Sequence, residues 1–296
     1  MKSNNEKRIS DLFPCLLILL QGLLYGFGDP ISKCAYEDVS VYALLFVRYA
    51  IALVTLLLFA GRRILCGLRN CHVRDWLPSS LCIAGAYLVG NVGIELTAAT
   101  SVAFLRSMST VLTPVLAFIV HKEKLSRHHV PILALSLVGM YLLCGQGGLS
   151  GFGMGEVCAL LCALLLAGSL VFGENALDRV DPLTLTAVQV AASTVLAAVF
   201  ALVFEGEFHL ETATLKTWGI IVYLAIFCTL AGYLLQNKAL CTISSRTVSL
   251  LQCFCPVMTA TFSFVLLGER LTPVGITGAV ILLGCVAAET WMKDDV

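Results

Sequence analysis

Ten long runs of apolar residues follow one another along the chain, separated by short polar segments. Each run has about 18 or more residues, the length that an α-helix needs to cross a hydrocarbon core of about 30 Å. The pattern predicts an all-α integral membrane protein with ten transmembrane helices. The runs cover approximately residues 12–32, 40–60, 76–95, 99–120, 128–145, 155–174, 183–204, 217–237, 244–267 and 274–292.

The fourth run carries a polar stripe that returns in the ninth run. Residues 99–125, taken as one helix, place small or polar side chains and one arginine three or four positions apart, so that they share one face. The stripe consists of Ala99, Ala103, Arg106, Thr110, Thr113 and Ala117, and it recurs 146 residues later as Ser245, Ser249, Gln252, Pro256, Thr259 and Ser263. The recurrence indicates two copies of one unit.

The shift of 146 residues also aligns Tyr87 with Tyr233 and Asn91 with Asn237, and a shift of 141 residues aligns the second run with the seventh. Helices 1–5 are therefore predicted to repeat as helices 6–10, in two domains that cover residues 1–146 and 154–296. Because five is odd, the second unit enters the membrane from the opposite side. Two inverted five-helix repeats of this kind are typical of transporters.

Local motifs indicate where helices begin and where they approach closely. Asp181-Pro182 and Thr272-Pro273 each place a capping side chain before a first-turn proline, which predicts the starts of helices 7 and 10. Gly22-x-x-x-Gly26 and Gly151-x-x-x-Gly155 permit close helix packing. We expect both glycine contacts to be intramolecular, and a homodimer is left open.

Composition excludes the usual soluble classes. The chain of 296 residues is 58% hydrophobic and 13% charged, whereas a soluble domain has about 25% charged residues. Most of the 13 cysteines lie inside apolar runs, where cysteine acts as a small hydrophobic residue rather than as part of a disulfide framework. The histidines near residue 121 lack the spacing of a zinc site, and no phosphate-binding loop or nucleophile motif is present. We expect no cofactor, no metal and no nucleic-acid partner.

The basic residues are distributed asymmetrically between the two sides of the predicted membrane. With a cytoplasmic N-terminus, the inside segments hold fourteen Lys and Arg residues and the outside segments hold three. Positive charge is enriched in cytoplasmic loops of membrane proteins. This bias predicts a multi-pass protein of the cytoplasmic membrane with both termini in the cytoplasm, in contact with membrane lipid.

Two arginines inside apolar runs are candidate substrate-binding residues. Arg106 and Arg48 both lie in the outer halves of their predicted helices, and an arginine near the centre of a membrane helix costs about 2.5–3.5 kcal/mol on insertion scales. Each could hold an anionic group through two parallel hydrogen bonds. Alternatively, Arg106 pairs with a carboxylate such as Glu95 or extends towards the surface, and Arg48 pairs with Asp29, Glu37 or Glu95.

Five further polar and aromatic residues complete the candidate substrate site. Tyr87 and Asn91 are four residues apart, as are Tyr233 and Asn237, so each pair shares a helix face. A tyrosine wall beside an amide suits an amino acid or another ligand with a ring. Interhelical hydrogen bonds that only hold the bundle are an equally good interpretation. Gln252 is the neutral repeat partner of Arg106 in the cytoplasmic half.

Several features together resemble EamA-type members of the drug/metabolite transporter superfamily. They are the five-plus-five pattern, the segment Phe46-Val47-Arg48-Tyr49, the paired turns Lys122-Glu123-Lys124-Leu125 and Gly268-Glu269-Arg270-Leu271, and Pro256 thirteen residues before Glu269. The resemblance implies two bundles around a central cavity, lined mainly by helices 3, 4, 8 and 9. It also implies that similar proteins are bacterial exporters of amino acids or related metabolites.

These observations predict a secondary transporter that exports a small polar metabolite, such as an amino acid, by alternating access. An uptake carrier and a broad drug exporter remain alternatives within the same class. An integral-membrane enzyme acting on lipids would need a cluster of acid, base or nucleophile at one membrane surface, and the sequence offers none that is convincing. A receptor or scaffold would bind a ligand without flux.

Overall fold

The computed structural model describes residues 2–97, 99–122, 129–144, 153–205, 213–267 and 272–291. Within these ranges the chain forms helices and turns and contains no strand. The first half comprises α1 (Lys2–Ala35), α2 (Val41–Arg69), α3 (Val73–Leu96), α4 (Ala99–Arg106), α5 (Ser109–His121) and α6 (His129–Cys144). The second half comprises α7 (Met154–Leu177), α8 (Pro182–Phe204), α9 (Leu215–Tyr223), a π-helical segment (Leu224–Ala231), α10 (Gly232–Leu240), α11 (Ser245–Leu251), α12 (Phe254–Leu267) and α13 (Pro273–Trp291).

Seven helical stretches of the described residues are long and apolar enough to cross a membrane. Three shorter apolar helices, Ser109–His121, Val130–Leu142 and Pro273–Ala288, occupy the positions of the predicted fourth, fifth and tenth helices. The structure therefore supports a multi-pass helical membrane protein, with seven of the ten predicted crossings at full length.

The predicted helix starts after Asp181 and Thr272 are confirmed. The Asp181 carboxylate accepts hydrogen bonds from the backbone N–H of Thr184, and Pro182 opens α8. The Thr272 hydroxyl accepts a hydrogen bond of 3.0 Å from the backbone N–H of Gly275 in the first turn of α13. Both caps satisfy N–H groups that a helix start would otherwise leave without partners.

The prediction of one continuous helix over residues 99–125 is wrong, because the chain breaks between α4 and α5 at Ser107 and Met108. The ninth predicted helix breaks at Gln252 and Cys253, within one residue of the repeat-equivalent position. At both breaks the backbone makes tighter three-residue hydrogen bonds, from Met108 N to Leu105 O and from Cys253 N to Leu250 O. The two helices are therefore broken at corresponding positions, as expected for copies of one repeat.

Repeat-equivalent helices α2 and α8 pack against each other in opposite directions. At one end, the hydroxyl of Ser40, which caps α2, donates to Glu205 Oε2 just after α8, at 2.7 Å. At the other end, Gly67 near the end of α2 lies so close to Thr184 at the start of α8 that a Cβ on Gly67 would be 2.2 Å from Thr184 Oγ1. This antiparallel packing is what an inverted repeat requires.

The other main helix pairings also join the two halves. α3 packs on α7, α6 on α13, and α1 on both α12 and the stretch α9–α10. The buried residues near the middle of the molecule accordingly come from both halves, as in the cluster that includes Ile18, Leu170 and Leu251. The other buried clusters likewise draw on residues of both halves.

The contact between α1 and α12 depends on two glycines. A Cβ on Gly22 would lie 3.0 Å from the Phe254 ring, and a Cβ on Gly26 would lie 2.3 Å from Met258 Cβ and 2.9 Å from the backbone of Met258 and Thr259. Such distances are too short for real Cβ contacts, so only glycine fits. The prediction that Gly22-x-x-x-Gly26 packs within the chain is confirmed.

We expect Gly26→Ala to lower the thermal unfolding temperature of the detergent-solubilised protein, since the new methyl group displaces the α12 backbone and overpacking costs about 1–3 kcal/mol. Gly61→Ala is the matched control, because no atom of the described residues lies within 4 Å of a Cβ there. Alanine also favours a helix over glycine by about 1 kcal/mol. Equal unfolding temperatures for the two variants would contradict the close packing.

Candidate functional site

An ion pair between Arg106 and Asp29 lies at the junction of the two halves. Arg106, the last residue of α4, places Nη2 2.5 Å from Asp29 Oδ2 and Nη1 3.5 Å from Asp29 Oδ1. The hydroxyl of Thr259 in α12 donates to the same carboxylate at 3.4 Å. The side chains of Arg106 and Asp29 are 15% and 17% exposed, so the pair is mostly withdrawn from solvent.

The structure thus supports the alternative interpretation of Arg106, in which it pairs with a carboxylate, but the partner differs from the one that the sequence suggested. The carboxylate is Asp29 on α1 rather than Glu95 on α3. Because Asp29 is engaged, it is also not the partner of Arg48 that the sequence suggested. In this conformation the charge of Arg106 is neutralised by the protein itself.

Arg48 on α2 is more deeply buried, with 4% of the residue exposed. Its Nε donates a hydrogen bond of 2.7 Å to the hydroxyl of Thr229 in the π-helical segment, and its guanidinium lies 5.5 Å from the centre of the Tyr49 ring. Among the described residues it has no ion pair, so none of the carboxylates proposed from the sequence, Asp29, Glu37 or Glu95, neutralises it.

Four tyrosines form an aromatic wall in the middle of the molecule. The repeat-equivalent rings of Tyr87 and Tyr233 stack with centres 5.5 Å apart. Tyr25 meets Tyr87 edge-on at 6.0 Å, and the hydroxyls of Tyr49 and Tyr233 are 3.5 Å apart. Sequence reasoning selected Tyr87 and Tyr233, but it missed Tyr25 and gave Tyr49 no place in the site.

Asn91 lies beside this wall on α3. Its side-chain oxygen accepts a hydrogen bond of 2.5 Å from the Tyr36 hydroxyl, and its amide group donates to the backbone oxygen of Tyr87 at 2.7 Å. Both polar atoms of the side chain are therefore occupied. Asn91 links α3 to the end of α1 in this conformation.

Asn237, the repeat partner of Asn91, is fully buried on α10. Its amide group donates to Thr186 Oγ1 at 2.9 Å and to Gln189 Oε1 at 2.8 Å, and Gln189 in turn donates to Ser79 on α3 at 2.9 Å. Its side-chain oxygen is buried without a hydrogen-bond partner among the described residues. Asn237 thus joins three helices and keeps one unused acceptor.

Gln252 lies at the break between α11 and α12 and belongs to a cluster of three glutamines. Its amide group donates to Gln21 Oε1 at 3.2 Å and to Gln236 Oε1 at 3.0 Å, while Gln21 donates to Gln236 at 3.0 Å. Sequence reasoning missed Gln21 and Gln236. A buried amide in an apolar run has to be hydrogen-bonded, and that rule could have identified both.

We refer to Asp29, Arg48, Arg106, the four tyrosines and the three glutamines as the central cluster. Gln21 donates to the backbone oxygen of Gly232, against which the Tyr25 ring packs directly. The cluster combines one neutralised arginine, one arginine without a counter-ion in the part of the chain that the structure describes, aromatic faces and amides. The described residues contain no group of three His, Cys, Asp or Glu side chains that could hold a metal ion.

Comparisons with known proteins define the class to which this chain belongs. The profile of the EamA-like transporter family matches residues 12–145 and again residues 153–288. The chain therefore belongs to the EamA-like transporter family. It is a membrane-embedded, multi-pass transporter and not an enzyme.

Individual relatives agree with this assignment. A protein of Archaeoglobus fulgidus, named as an uncharacterized transporter, is 27% identical over 275 residues, which cover 93% of this chain and 85% of that protein. The riboflavin transporter ImpX of Fusobacterium nucleatum subsp. nucleatum is 21% identical, over 90% of this chain and 94% of its own length. A solved crystal structure superimposes with a TM-score of 0.76 at 17% identity, covering 92% of this chain and 95% of the other, which shows a shared fold.

The turns that contain Glu123 and Glu269, which contributed to the sequence resemblance, lie outside the described residues. The resemblance is nevertheless confirmed by the two family matches, which together extend over both halves of the chain.

The ion pair yields a stability prediction. We expect Asp29→Asn to lower the unfolding temperature, because it leaves the Arg106 charge without a partner, and breaking a buried pair costs about 3 kcal/mol or more. Asp29→Asn with Arg106→Gln should recover part of this loss, as a double-mutant cycle would measure. Glu37→Gln is the control, since Glu37 is an exposed carboxylate just beyond the same helix. Additive effects of the two substitutions would argue against the pair.

Proposed function

We propose that this protein is a secondary transporter that moves a small anionic or zwitterionic metabolite carrying a ring, such as an aromatic amino acid, by alternating access. The observation that carries the proposal is Arg48, a buried cation with one hydrogen bond and no counter-ion among the described residues. A charge buried without a partner is costly, and a bound anion would supply the missing partner. Arg48 is therefore the proposed anchor of the cargo.

The other residues of the central cluster have distinct proposed roles. Tyr87 and Tyr233 present aromatic surfaces to a ring, and Gln252 with its glutamine neighbours offers amide donors and acceptors. Arg106 is a second anion site once its bond to Asp29 opens. Asn91 and Asn237 are not members of the cluster, and they are proposed to contact the cargo as well as to hold the helices together through the hydrogen bonds described above.

The name of one relative supports a cargo with a flat ring. ImpX is named as a riboflavin transporter, and riboflavin contains a fused aromatic ring system. The tyrosine rings of this chain, which stack on one another here, are aromatic as well, and such a ring system could stack on their faces. The proposal therefore includes ring compounds larger than amino acids.

Alternating access is supported by the symmetry of the chain. Ten crossings in two inverted repeats, with residues 1–146 and 154–296 as the units, account for the antiparallel packing of α2 on α8. Broken helices at corresponding positions of two halves are the usual mark of a transporter binding site near the midplane. Here the breaks fall beside Arg106 and Gln252.

The proposed orientation places both termini in the cytoplasm of a cell whose cytoplasmic membrane holds the protein. The positive charge of the predicted inside segments supports this placement. Export is the proposed direction, and uptake or broad drug export is the alternative. Flux measured separately in both directions across vesicles of known orientation distinguishes them.

The anchor is tested with purified protein and a panel of aromatic amino acids, aliphatic amino acids and riboflavin, screened by thermal stabilisation and then by flux in liposomes. A ligand at 100 times its dissociation constant stabilises the protein by about 2.7 kcal/mol. We expect Arg48→Gln to weaken binding of an anionic cargo about 10- to 100-fold, since a charged hydrogen bond contributes about 1.5–3 kcal/mol.

Two variants make this result specific. Arg48→Lys keeps the charge but not the planar fork, so it should retain part of the binding. Arg63→Gln removes an exposed arginine from the same helix and should bind as the parental protein does. If Arg48→Gln folds normally and transports the identified cargo at the parental rate, Arg48 is not the anchor.

A further inference from the structure

Two polar contacts lie at opposite ends of the molecule, and each joins the two halves. At one end, Arg179, in the turn between α7 and α8, places Nη1 3.0 Å from Asp75 Oδ1 at the start of α3. At the other end, Asp38, in the turn between α1 and α2, accepts hydrogen bonds from Thr217 and, at 2.9 Å, from Thr214 at the start of α9. The 29 residues of α2 separate the two ends.

The two contacts occupy corresponding places in the repeat. In each, the turn after the first helix of one half meets the start of the third helix of the other half. The shift of 141 residues that aligns the second and seventh helices places Asp38 on Arg179, so the charge is reversed while the location is kept. Because the two halves are inverted relative to each other, a contact of this kind at one end of the molecule has an equivalent contact at the opposite end.

Each contact is tied to the cap of the helix that it meets. Asp75 Oδ2 accepts the backbone N–H of His72 at 3.1 Å and so caps α3 while Oδ1 holds Arg179. Thr214 caps α9 through the backbone N–H of Thr217. The Thr217 and Thr214 hydroxyls also lower the pKa of Asp38, which keeps this carboxylate ionised. Separating either contact therefore frees the end of a helix from the turn of the opposite half.

The contact at the Arg179 end lines a cleft. The cleft has a volume of about 290 Å³ and lies between α3 and the end of α7, beside Pro78, Phe172 and Asn175. Ser79, the next residue after Pro78, is hydrogen-bonded to Gln189, which holds Asn237. Two hydrogen bonds thus link α3, beside the cleft, to Asn237, which is a proposed site residue.

We propose that Arg179–Asp75 and Asp38–Thr214/Thr217 are reciprocal gates, one at each end, and that transport requires one to separate while the other stays closed. The inference rests on the proposed alternating-access function. Both contacts are formed in this structure. Arg179 is 71% exposed, and exposed ion pairs are weak, which suits a contact that has to open in every cycle.

Native cysteines report which gate is open, and they do so without any cargo. Cys162, Cys228 and Cys255 lie between the two contacts and are 1%, 2% and 8% exposed. Cys66 and Cys241 are exposed at the Arg179 end and calibrate the sidedness. A membrane-impermeant maleimide is applied to intact cells and to inside-out vesicles, and labelling of each cysteine is measured by peptide mass spectrometry.

Loss of one gate should raise central labelling from that end and lower it from the other. We expect Asp75→Asn and Arg179→Gln to raise labelling of the central cysteines roughly three- to fivefold from the side on which Cys66 reacts, the ratio that an exposed pair can supply. Asp38→Ala, which removes the acceptor of both threonine hydroxyls, should do the same from the opposite side. Arg179→Lys keeps the charge and should label as the parental protein does.

Two results would overturn the gates. Unchanged labelling in all three variants would show that the contacts do not control access, and an equal rise from both sides in every variant would show general loosening of the fold. The result is also independent of the anchor. If the gate variants change the side from which the cysteines are labelled while Arg48→Gln transports normally, the gates are supported and Arg48 is not the anchor. If labelling is unchanged while Arg48→Gln loses binding, the gates are rejected and the anchor is supported.

Discussion

A polar group inside a membrane protein has to find its partner within the protein, because the hydrocarbon around it offers none. In this chain the requirement gathers the central cluster away from lipid. Asp29 neutralises Arg106, the three glutamines bond to one another, and Asn237 bonds to Thr186 and Gln189. The bonds of Gln21 to Gln236 and Gln252, and of Gln189 to Ser79, connect the two halves, so the interior that would bind a polar cargo also helps to hold the bundle together.

The pairing of helices between halves explains why the core and the candidate site coincide. Tyr87 and Tyr233 are repeat partners, and they stack on one another because the halves meet around a common axis. The same relation brings Gly67 against Thr184 and α1 against α12. A repeat whose copies packed only within themselves would place equivalent residues far apart.

The sequence predicted the class of fold, the family and half of the residues of the central cluster, since hydropathy, the repeat shift and intramembrane arginines are all visible in one chain. It did not predict the break at Ser107 and Met108, where no glycine or proline gives a signal. Pro256, which cannot donate to the backbone oxygen of Gln252, provides such a signal only in the second half.

The partner of Arg106 was missed for a related reason. Depth in the membrane does not distinguish Asp29 from Glu95 as the partner of Arg106. The face of α1 on which Asp29 lies does distinguish them. Gly22, Gly26 and Asp29 lie four and three residues apart, and the two glycines face α12, so Asp29 faces α12 as well.

The π-helical segment Leu224–Ala231 is present in the second half alone, since its counterpart in the first half, α3, runs as an uninterrupted α-helix. Its wider turn carries Thr229, which accepts from the charged Arg48, whereas Gln189, 141 residues after Arg48, makes the corresponding bond to Ser79 on α3 with a neutral donor. In the proposed alternating-access cycle, the state open to one side is therefore not the symmetry equivalent of the state open to the other. The two states then differ in population at rest, and the more populated one sets the compartment from which a dilute cargo binds first.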